Sequence, residues 1–267
     1  MLEDSFEVFT KPNPEIDAAF AMPGDFFGRG LMEAMPKLRV IATNTTGRQH
    51  IDEAEAALRG IEVFSLHAHE IEHVTPTAEH AIGLMLALTR NLVPANASVK
   101  ARDWSRWEFA GEKMLSRSTV GVIGYGRLGR RVASALAAMG ALIVVIDEKQ
   151  GVGRLADVWA CDIVTIHIPP ARIIDREFLS RFRGYLVNTS RGEVVDMDAV
   201  LGALNAGTLK GYATDVIEGE NEPGFKVPGW VTHPKVLVTP HIGGSTKDAW
   251  EETQRIVIEK LVCASSG

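Results

Sequence analysis

Apolar and polar positions alternate in short runs along the chain, and those runs predict an α/β protein. Near the amino end, Phe6–Phe9, Ala18–Met22, Leu38–Ala42 and Ile61–Leu66 read as strands. Between the last two, Asp52 to Arg59 reads as a helix with Ala54, Ala57 and Leu58 on one side and Gly60 as its stop. The connection Lys11-Pro-Asn-Pro14 has room for a turn but not for a crossover helix, which is unusual between parallel strands. From Thr77 to Leu92 the pattern is strongly helical, with Thr77 as cap, Glu79 in the first turn and Ala81, Leu84, Met85 and Leu88 inside. Apolar residues lie nearly all round this helix, which predicts burial between elements or subunits. Pro94 and the aromatic residues Trp104, Trp107 and Phe109 follow. Packing under a loop is the simpler reading for them than a ligand platform, and a subunit contact is the other.

Six further strands are expected at Val120–Ile123, Ala141–Ile146, Asp162–Ile168, Tyr185–Thr189, Tyr212–Val216 and Val236–Thr239. Six is the count of two mononucleotide-binding halves. A helix from Met197 to Asn205 ends before Gly207, and a last one runs from Thr246 to Val262 with Ile256, Val257 and Leu261 inside. The stretch from Gln150 to Ala160 is too short for an ordinary crossover, so one connection is compressed. No internal repeat or low-complexity tract occurs.

The first of these strands breaks into Gly124-Tyr125-Gly126-Arg127-Leu128-Gly129, a helical pattern follows, and the second strand closes on Asp147, eighteen residues past Gly129. Strand, glycine turn, helix, strand and acid together form the dinucleotide-binding fingerprint. Gly124 permits the tight turn, Gly126 admits a pyrophosphate to the backbone, and Gly129 brings helix and strand close. The helix start offers N–H groups and a positive dipole end to phosphates. A carboxylate at Asp147 accepts ribose hydroxyls and repels a 2′-phosphate, which favours NAD; nearby Lys149 and Arg154 would weaken that preference.

Composition sets the class but not the chemistry. The 267 residues are 46% hydrophobic and 23% charged, ordinary for a globular protein of one large or two modest domains. A net charge of -6 lends no support to nucleic-acid or membrane-surface binding. Cys161 and Cys263 make no disulfide framework. No signal peptide or membrane-length apolar run is visible, so the matches at Asn44, Asn96 and Asn188 to the glycosylation pattern are read as coincidence. The expectation is a reduced, cytoplasmic protein.

In a doubly wound sheet, ligands bind beyond the carboxyl ends of the strands. That rule selects His167, Asn188-Thr-Ser-Arg191, Asp215, Glu220 soon after it, and His241. Hydride transfer to a ketone needs a proton donor for the oxygen, which a histidine supplies near neutral pH. A carboxylate beside that histidine holds its protonated form, and an arginine clamps a substrate carboxylate with two parallel hydrogen bonds.

With these residues, the chain resembles the D-isomer-specific 2-hydroxyacid dehydrogenases. The motifs that carry the resemblance are Val122-Ile-Gly-Tyr-Gly-Arg-Leu-Gly129, Asp162-Ile-Val-Thr-Ile-His-Ile-Pro169, Leu186-Val-Asn-Thr-Ser-Arg-Gly-Glu193, Asp215-Val-Ile-Glu-Gly-Glu220 and Val238-Thr-Pro-His-Ile-Gly-Gly244. Thr46-Gly47 leading to His50-Ile-Asp52, and Thr77-Ala-Glu-His80, also fit. The similarity runs from about Leu38 onward.

The resemblance implies a Rossmann-type doubly wound parallel sheet for residues 94–245. A smaller, shortened flavodoxin-like α/β substrate domain would comprise 1–93 and 246–267. It implies an NAD-dependent enzyme that passes a hydride between NAD(H) and a small 2-hydroxyacid or 2-ketoacid; a homodimer is the expected assembly. By motif position Arg191 would orient the substrate, Glu220 would pair with His241, and His241 would be the acid in reduction and the base in oxidation. Asp215 would face the nicotinamide carboxamide, Thr189 and Gly243 would line the cofactor cleft, and His167-Ile168-Pro169 would pass the adenosine half. The backbone around Asn44-Thr-Thr46-Gly47 would hold the substrate carboxylate. Arg48, where the family more usually has a small or uncharged residue, would read a phosphate or second carboxylate, or else face solvent.

Departures from the family pattern are the short ends, the short 147–162 stretch and Pro170-Ala171 after Pro169. No metal is expected: His67, His69 and His73 with Glu70 and Glu72 match no standard zinc spacing, and a polar substrate contact is the better use for them. Two rivals stand beside the dehydrogenase: a catalytically weak NAD-binding regulator on the same fold, and a reductase acting on another carbonyl class.

Overall fold

The computed structural model describes residues 7, 9–24 and 26–265, which form two compact units. The smaller comprises the described residues up to Val74, Gly219–Lys226 and those from Ser245 to Ser265. The larger comprises Thr75–Glu218 and Val227–Gly244.

In the smaller unit, β1 (Ala18–Phe20), β2 (Val40–Ala42) and β3 (Glu62–Phe64) form a parallel sheet in that order. Helix α1 (Arg29–Glu33) joins the first pair, and α2 (Glu53–Leu58), capped by the Asp52 side chain on Glu55 N–H, joins the second. The first apolar cluster comprises Met32, Met35, Ile41, Ile51, Ala56 and Ile61. The strand expected at Phe6–Phe9 falls on residues that include Phe6 and Val8, outside the described set.

The larger unit opens with α3 (Pro76–Thr89), which Pro76 starts by supplying a preset first-turn φ. Thr77 therefore lies inside the helix, and Thr75 takes the cap position that Thr77 was expected to fill. Asn91, in a left-handed conformation at φ 52°, turns the chain into α4 (Leu92–Lys100), a second helix that continues past the expected end at Leu92 and contains Pro94. Proline is tolerated there because a helix's first N–H groups have no partner within it. The packing unit thus begins at Thr75, whereas the expected domain boundary fell at residue 94. The difference is α3, which buries Ala78, Ala81, Leu84 and Met85 against α5 (Arg127–Ala138) and the sheet. Of the three aromatic residues that follow, Trp104 and Trp107 are 76% and 82% exposed and so not packed under a loop, whereas Phe109 is half-buried.

The six expected strands are all present: β4 (Thr119–Ile123), β5 (Leu142–Ile146), β6 (Ile163–Ile166), β7 (Tyr185–Asn188), β8 (Gly211–Thr214) and β9 (Val236–Val238). They form one parallel sheet in the order β5-β4-β6-β7-β8-β9. The count matches two three-stranded halves, but the order does not: the first half holds only β4 and β5. The compressed connection explains this. After Asp147 the chain folds back in a single antiparallel bridge to Val152, then crosses the sheet as a 3-10 turn at Leu155–Val158. Val158 lies directly on β4 because Gly121 is bare there; a Cβ at Gly121 would stand 2.6 Å from Val158 Cγ1. A crossing that rides on the backbone needs no full helix.

Alternate strand residues feed two cores. Ile123, Val164, Ile166, Leu186 and Tyr212 face α6 (Arg176–Arg181) and α7 (Met197–Asn205). Val120, Val122, Ile163, Val187 and Ala213 face α3 and α5. Burial on both faces is what makes these strands continuous apolar runs. The last helix, α8 (Lys247–Ser265), belongs to the smaller unit, where Val257 and Leu261 join Leu66, Ile71 and Val74 in a second cluster.

Candidate functional site

In the larger unit the candidate site residues lie along the carboxyl ends of the strands. At the end of β4, Gly124 adopts φ +94°, and its N–H donates to the Ile146 carbonyl at 2.7 Å. A Cβ on Gly124 would sit 2.3 Å from the His167 carbonyl oxygen, and one on Gly129 would sit 1.9 Å from that of Gly124. Strand, turn and helix therefore touch backbone to backbone. Gly126 is the exception, with nothing within 4 Å of the Cβ position. The N-cap of α5, Gly126, makes no side-chain cap hydrogen bond, and the first N–H groups of a helix have no partner within it, which suits an anion.

At the end of β5, Asp147 accepts from Tyr125 N–H at 2.7 Å and Gln150 N–H at 3.0 Å, and the Gln150 side-chain amide adds a bond at 3.1 Å. The Tyr125 bond is the largest cause holding the Asp147 pKa below its ordinary value, against the opposing effect of burial. Gln150 was not picked out from the sequence; its signal is its place three residues after an aspartate at a turn.

At the ends of β6 and β7 lie two buried polar atoms with no hydrogen-bond partner among the described residues, His167 Nδ1 and Thr189 Oγ1. His167 Nε2 lies 3.0 Å from Thr165 Oγ1, and burial pushes the imidazole pKa down to about 4, so the ring is neutral. Ile168 is half-buried and Pro169 exposed beside it. The Thr189–Arg191 turn is fastened from below: Asn188 accepts from Ser190 N–H and donates to the Arg191 carbonyl at 2.8 Å. Arg191 Nη1 donates to the Ser190 carbonyl at 2.7 Å.

Asp215, at the end of β8, is 2% exposed. Its carboxylate accepts from Thr239 Oγ1 at 2.5 Å, Ile242 N–H at 2.9 Å and Gly243 N–H at 2.7 Å. The turn after β9 is thereby wrapped around it, with His241 held at φ 51° and its N–H on the Asp215 carbonyl at 2.9 Å. His80 of α3 completes this cluster, its Nε2 lying 2.9 Å from Thr239 Oγ1 and 3.3 Å from Asp215 Oδ1.

An open glycine turn, an uncapped helix start, an acid at the next strand and two unpartnered buried polar atoms fit a dinucleotide laid across β4 to β8. His241 and Arg191 fall one strand to either side of Asp215.

The remaining expected site residues belong to the smaller unit. Glu220 lies in its Gly219–Lys226 segment. The loop after β2 is shaped by side chains: Thr43 Oγ1 lies 3.0 Å from His50 Nε2, Thr45 Oγ1 donates to the Gly47 carbonyl at 2.7 Å, and Asn44 Nδ2 donates to Thr253 Oγ1 at 3.1 Å. Thr46 is exposed at its tip. Arg48 donates to Ser65 Oγ at 2.9 Å and to Glu53 at 3.2 Å. In the histidine-rich loop, Glu70 is taken by Lys260 and the His67 N–H, and His73 by Glu252. Among the described residues no group of three His, Cys, Asp or Glu side chains is placed to hold a metal ion.

The fold and this rim define a doubly wound α/β protein built to bind a dinucleotide. Residues 82–243 match the family model of the D-isomer specific 2-hydroxyacid dehydrogenase NAD binding domain, and the chain belongs to that family. It is 31% identical over 274 residues to a D-3-phosphoglycerate dehydrogenase of Mycobacterium leprae, a match covering 95% of this chain and 50% of that protein. The chain thus spans about half the length of that relative. A glyoxylate reductase of Thermococcus litoralis is 30% identical, with 95% of this chain and 82% of that protein covered. Among solved structures, D-lactate dehydrogenase from Aquifex aeolicus, complexed with NAD and lactic acid, superposes with a TM-score of 0.78 at 27% identity, covering 95% and 84% of the two chains.

Proposed function

We propose that the protein is an NAD-dependent oxidoreductase that interconverts a small D-2-hydroxyacid and its 2-ketoacid. One observation carries this reading: Asp215 gathers the β9 turn so that His241 and Arg191 flank it on the same strand-end rim as the glycine turn. The bound cofactor supplies or accepts the hydride. The residues of the chain do the rest. Gly124–Gly129 receives the pyrophosphate, Asp147 the adenine ribose, and His167–Pro169 the adenosine edge. Thr189, Asp215 and Gly243 frame the nicotinamide.

Arg191 would grip the substrate carboxylate and carbonyl oxygen, polarising the bond as the hydride arrives. His241 would donate the proton to the new alkoxide and take it back in oxidation, with Glu220 stabilising the imidazolium. The smaller unit is the substrate domain in this reading, and Thr46, Gly47 and Arg48 are its proposed substrate-binding residues. The reading includes a homodimer, supported by the exposed apolar residues Leu92, Val93, Val99, Trp104 and Trp107, and a cytoplasmic setting, in keeping with Cys161 as a free thiol. No described helix is long and apolar enough to cross a membrane.

The test is NADH oxidation with a panel of 2-ketoacids that includes glyoxylate, pyruvate, hydroxypyruvate and phosphorylated acids. Reduction of at least one member is expected. If NADH binds and none is reduced, the chain is an NAD-binding regulator. Turnover of simple aldehydes alone would instead mark a reductase of another class.

A further inference from the structure

We propose that His80 is a positioning residue for His241, acting through a fixed chain of hydrogen bonds that runs His80, Thr239, Asp215. The inference rests on the dehydrogenase reading of the same rim and adds a member that acts through Thr239 and Asp215.

The direction of the chain follows from donor counting. An ionised carboxylate only accepts. Asp215 already accepts from two backbone N–H groups, Ile242 and Gly243, and Thr239 Oγ1 stands 2.5 Å from its Oδ1. The single hydroxyl proton of Thr239 therefore goes to Asp215. Thr239 Oγ1 is then left as an acceptor toward His80 Nε2, 2.9 Å away, so the proton on this imidazole sits on Nε2. Asp215 Oδ1, at 3.3 Å, adds electrostatic attraction to the same N–H. The tautomer of His80 is set by its neighbours.

What the chain holds is a turn that resists its own shape. His241 is not a glycine, yet it sits at φ 51°, a conformation that costs an ordinary residue about 1 kcal/mol or more. Close packing adds to the constraint: a Cβ on Gly243 would lie 2.8 Å from Asp215 Oδ2 and 3.4 Å from His80 Cδ2. Asp215 is the hub, and His80 with Thr239 fixes the face of that hub turned toward α3. Without the His80 N–H, Thr239 is free to rotate its hydroxyl away, and one of the bonds closing the turn is lost. The imidazole of His241 would then sample positions away from the reacting oxygen, where a displacement of about 1 Å costs on the order of a hundredfold in rate.

The experiment compares His80→Leu, His80→Gln and Thr239→Val. Glutamine places an amide N–H near the position of imidazole Nε2, and valine keeps the shape of threonine without its hydroxyl. Relative to wild type, His80→Leu and Thr239→Val are expected to lower kcat at least about tenfold, with the Kd for NADH and the melting temperature little changed. His80→Gln should recover most of the loss. A second readout needs no turnover: with 13C-labelled histidine, the His241 Cε1 resonance should shift or broaden in His80→Leu and Thr239→Val, and return toward wild type in His80→Gln. An unchanged His241 resonance in both variants overturns the proposal. So does a loss that appears only as weaker NADH binding or a lower melting temperature and that glutamine fails to rescue. Failure of the dehydrogenase reading shows separately, as an inactive wild type, and the resonance arm still decides the role of His80.

Discussion

The two units hold their functional loops by different means. In the larger, the glycine turn is shaped by backbone against backbone, with Gly124 and Gly129 leaving no room for a methyl group. In the smaller, the loop from Thr43 to Arg48 is shaped by side chains that reach partners far along the sequence. Asn44 meets Thr253, 209 residues away, and Arg48 meets Ser65. The α8 helix repeats the pattern, with Lys260 on Glu70 and Glu252 on His73. A contiguous motif encodes the first kind of loop, whereas dispersed pairs encode the second. In the proposed reading the first holds the dinucleotide, and the second leaves substrate choice open to a few substitutions.

The sharpest break in this comparison comes at the proposed catalytic rim. Replacing His241 with alanine removes the proposed proton donor and should lower kcat by about a hundredfold or more, while NADH titrates as before. Full activity in that variant would take His241 out of the mechanism. Next come two glycines of one turn with opposite expected faults. Gly129→Ala forces a methyl into the Gly124 carbonyl and should cost about 3 kcal/mol or more of stability, read by thermal or denaturant unfolding. Gly126→Ala meets nothing within 4 Å, so it should fold normally and show only a weaker Kd for NADH. Equal melting temperatures for the two variants would mean that the turn is not sterically closed.

What was legible in the sequence divides along the same line. The six strands of the larger sheet were readable because burial on both faces makes each an apolar run, and the glycine turn because its requirements are local. The strand order was not readable, since it depends on Val158 lying against the bare backbone of Gly121, a contact across the connection and not a pattern within it. The helix Leu92–Lys100 was hidden by Pro94, which is compatible with a helix start but reads as a breaker. In the smaller unit the strands at Ala18, Val40 and Glu62 were found, but the bonds of Arg48 were not: sequence alone places a guanidinium on a loop without saying what it touches. At the rim, Arg191, Asp215 and His241 could be named from motif order, whereas His80 could be quoted but given no task until Thr239 stood beside it.

His167 offers a break by pH instead of mutation alone. Burial lowers its pKa from 6.5 to about 4, so the folded chain holds the ring neutral where the unfolded chain would protonate it. Between those values the unfolded state binds more protons, and stability must fall as the pH is lowered from about 6.5 toward about 4. The contribution of this one group is at most on the order of 3 kcal/mol. Denaturant melts of wild type and His167→Gln across that window should diverge, with the variant showing the flatter profile. Parallel profiles would show that the ring is hydrated in solution and not desolvated.

The smallest expected effect tests the smaller unit. Arg48 is the one cation on the proposed substrate loop, yet it already donates to Ser65 and Glu53 and its side chain is 35% exposed. If a second anionic group on the substrate is to be read there, it must compete with Glu53 for the guanidinium. The outcome can be separated by charge. Arg48→Leu should raise KM about tenfold for phosphorylated or dicarboxylic ketoacids, the value of one lost charged hydrogen bond, and leave KM for pyruvate and Kd for NADH unchanged. Glu53→Gln should act in the opposite sense for the same acids, since it releases the arginine without removing it. Equal changes for mono- and dianionic acids would mean that Arg48 braces the loop through Ser65 and has no part in choosing the substrate. In that case the loop is held by its own side chains throughout, and specificity must be sought in the shape left between Thr46 and Gly47.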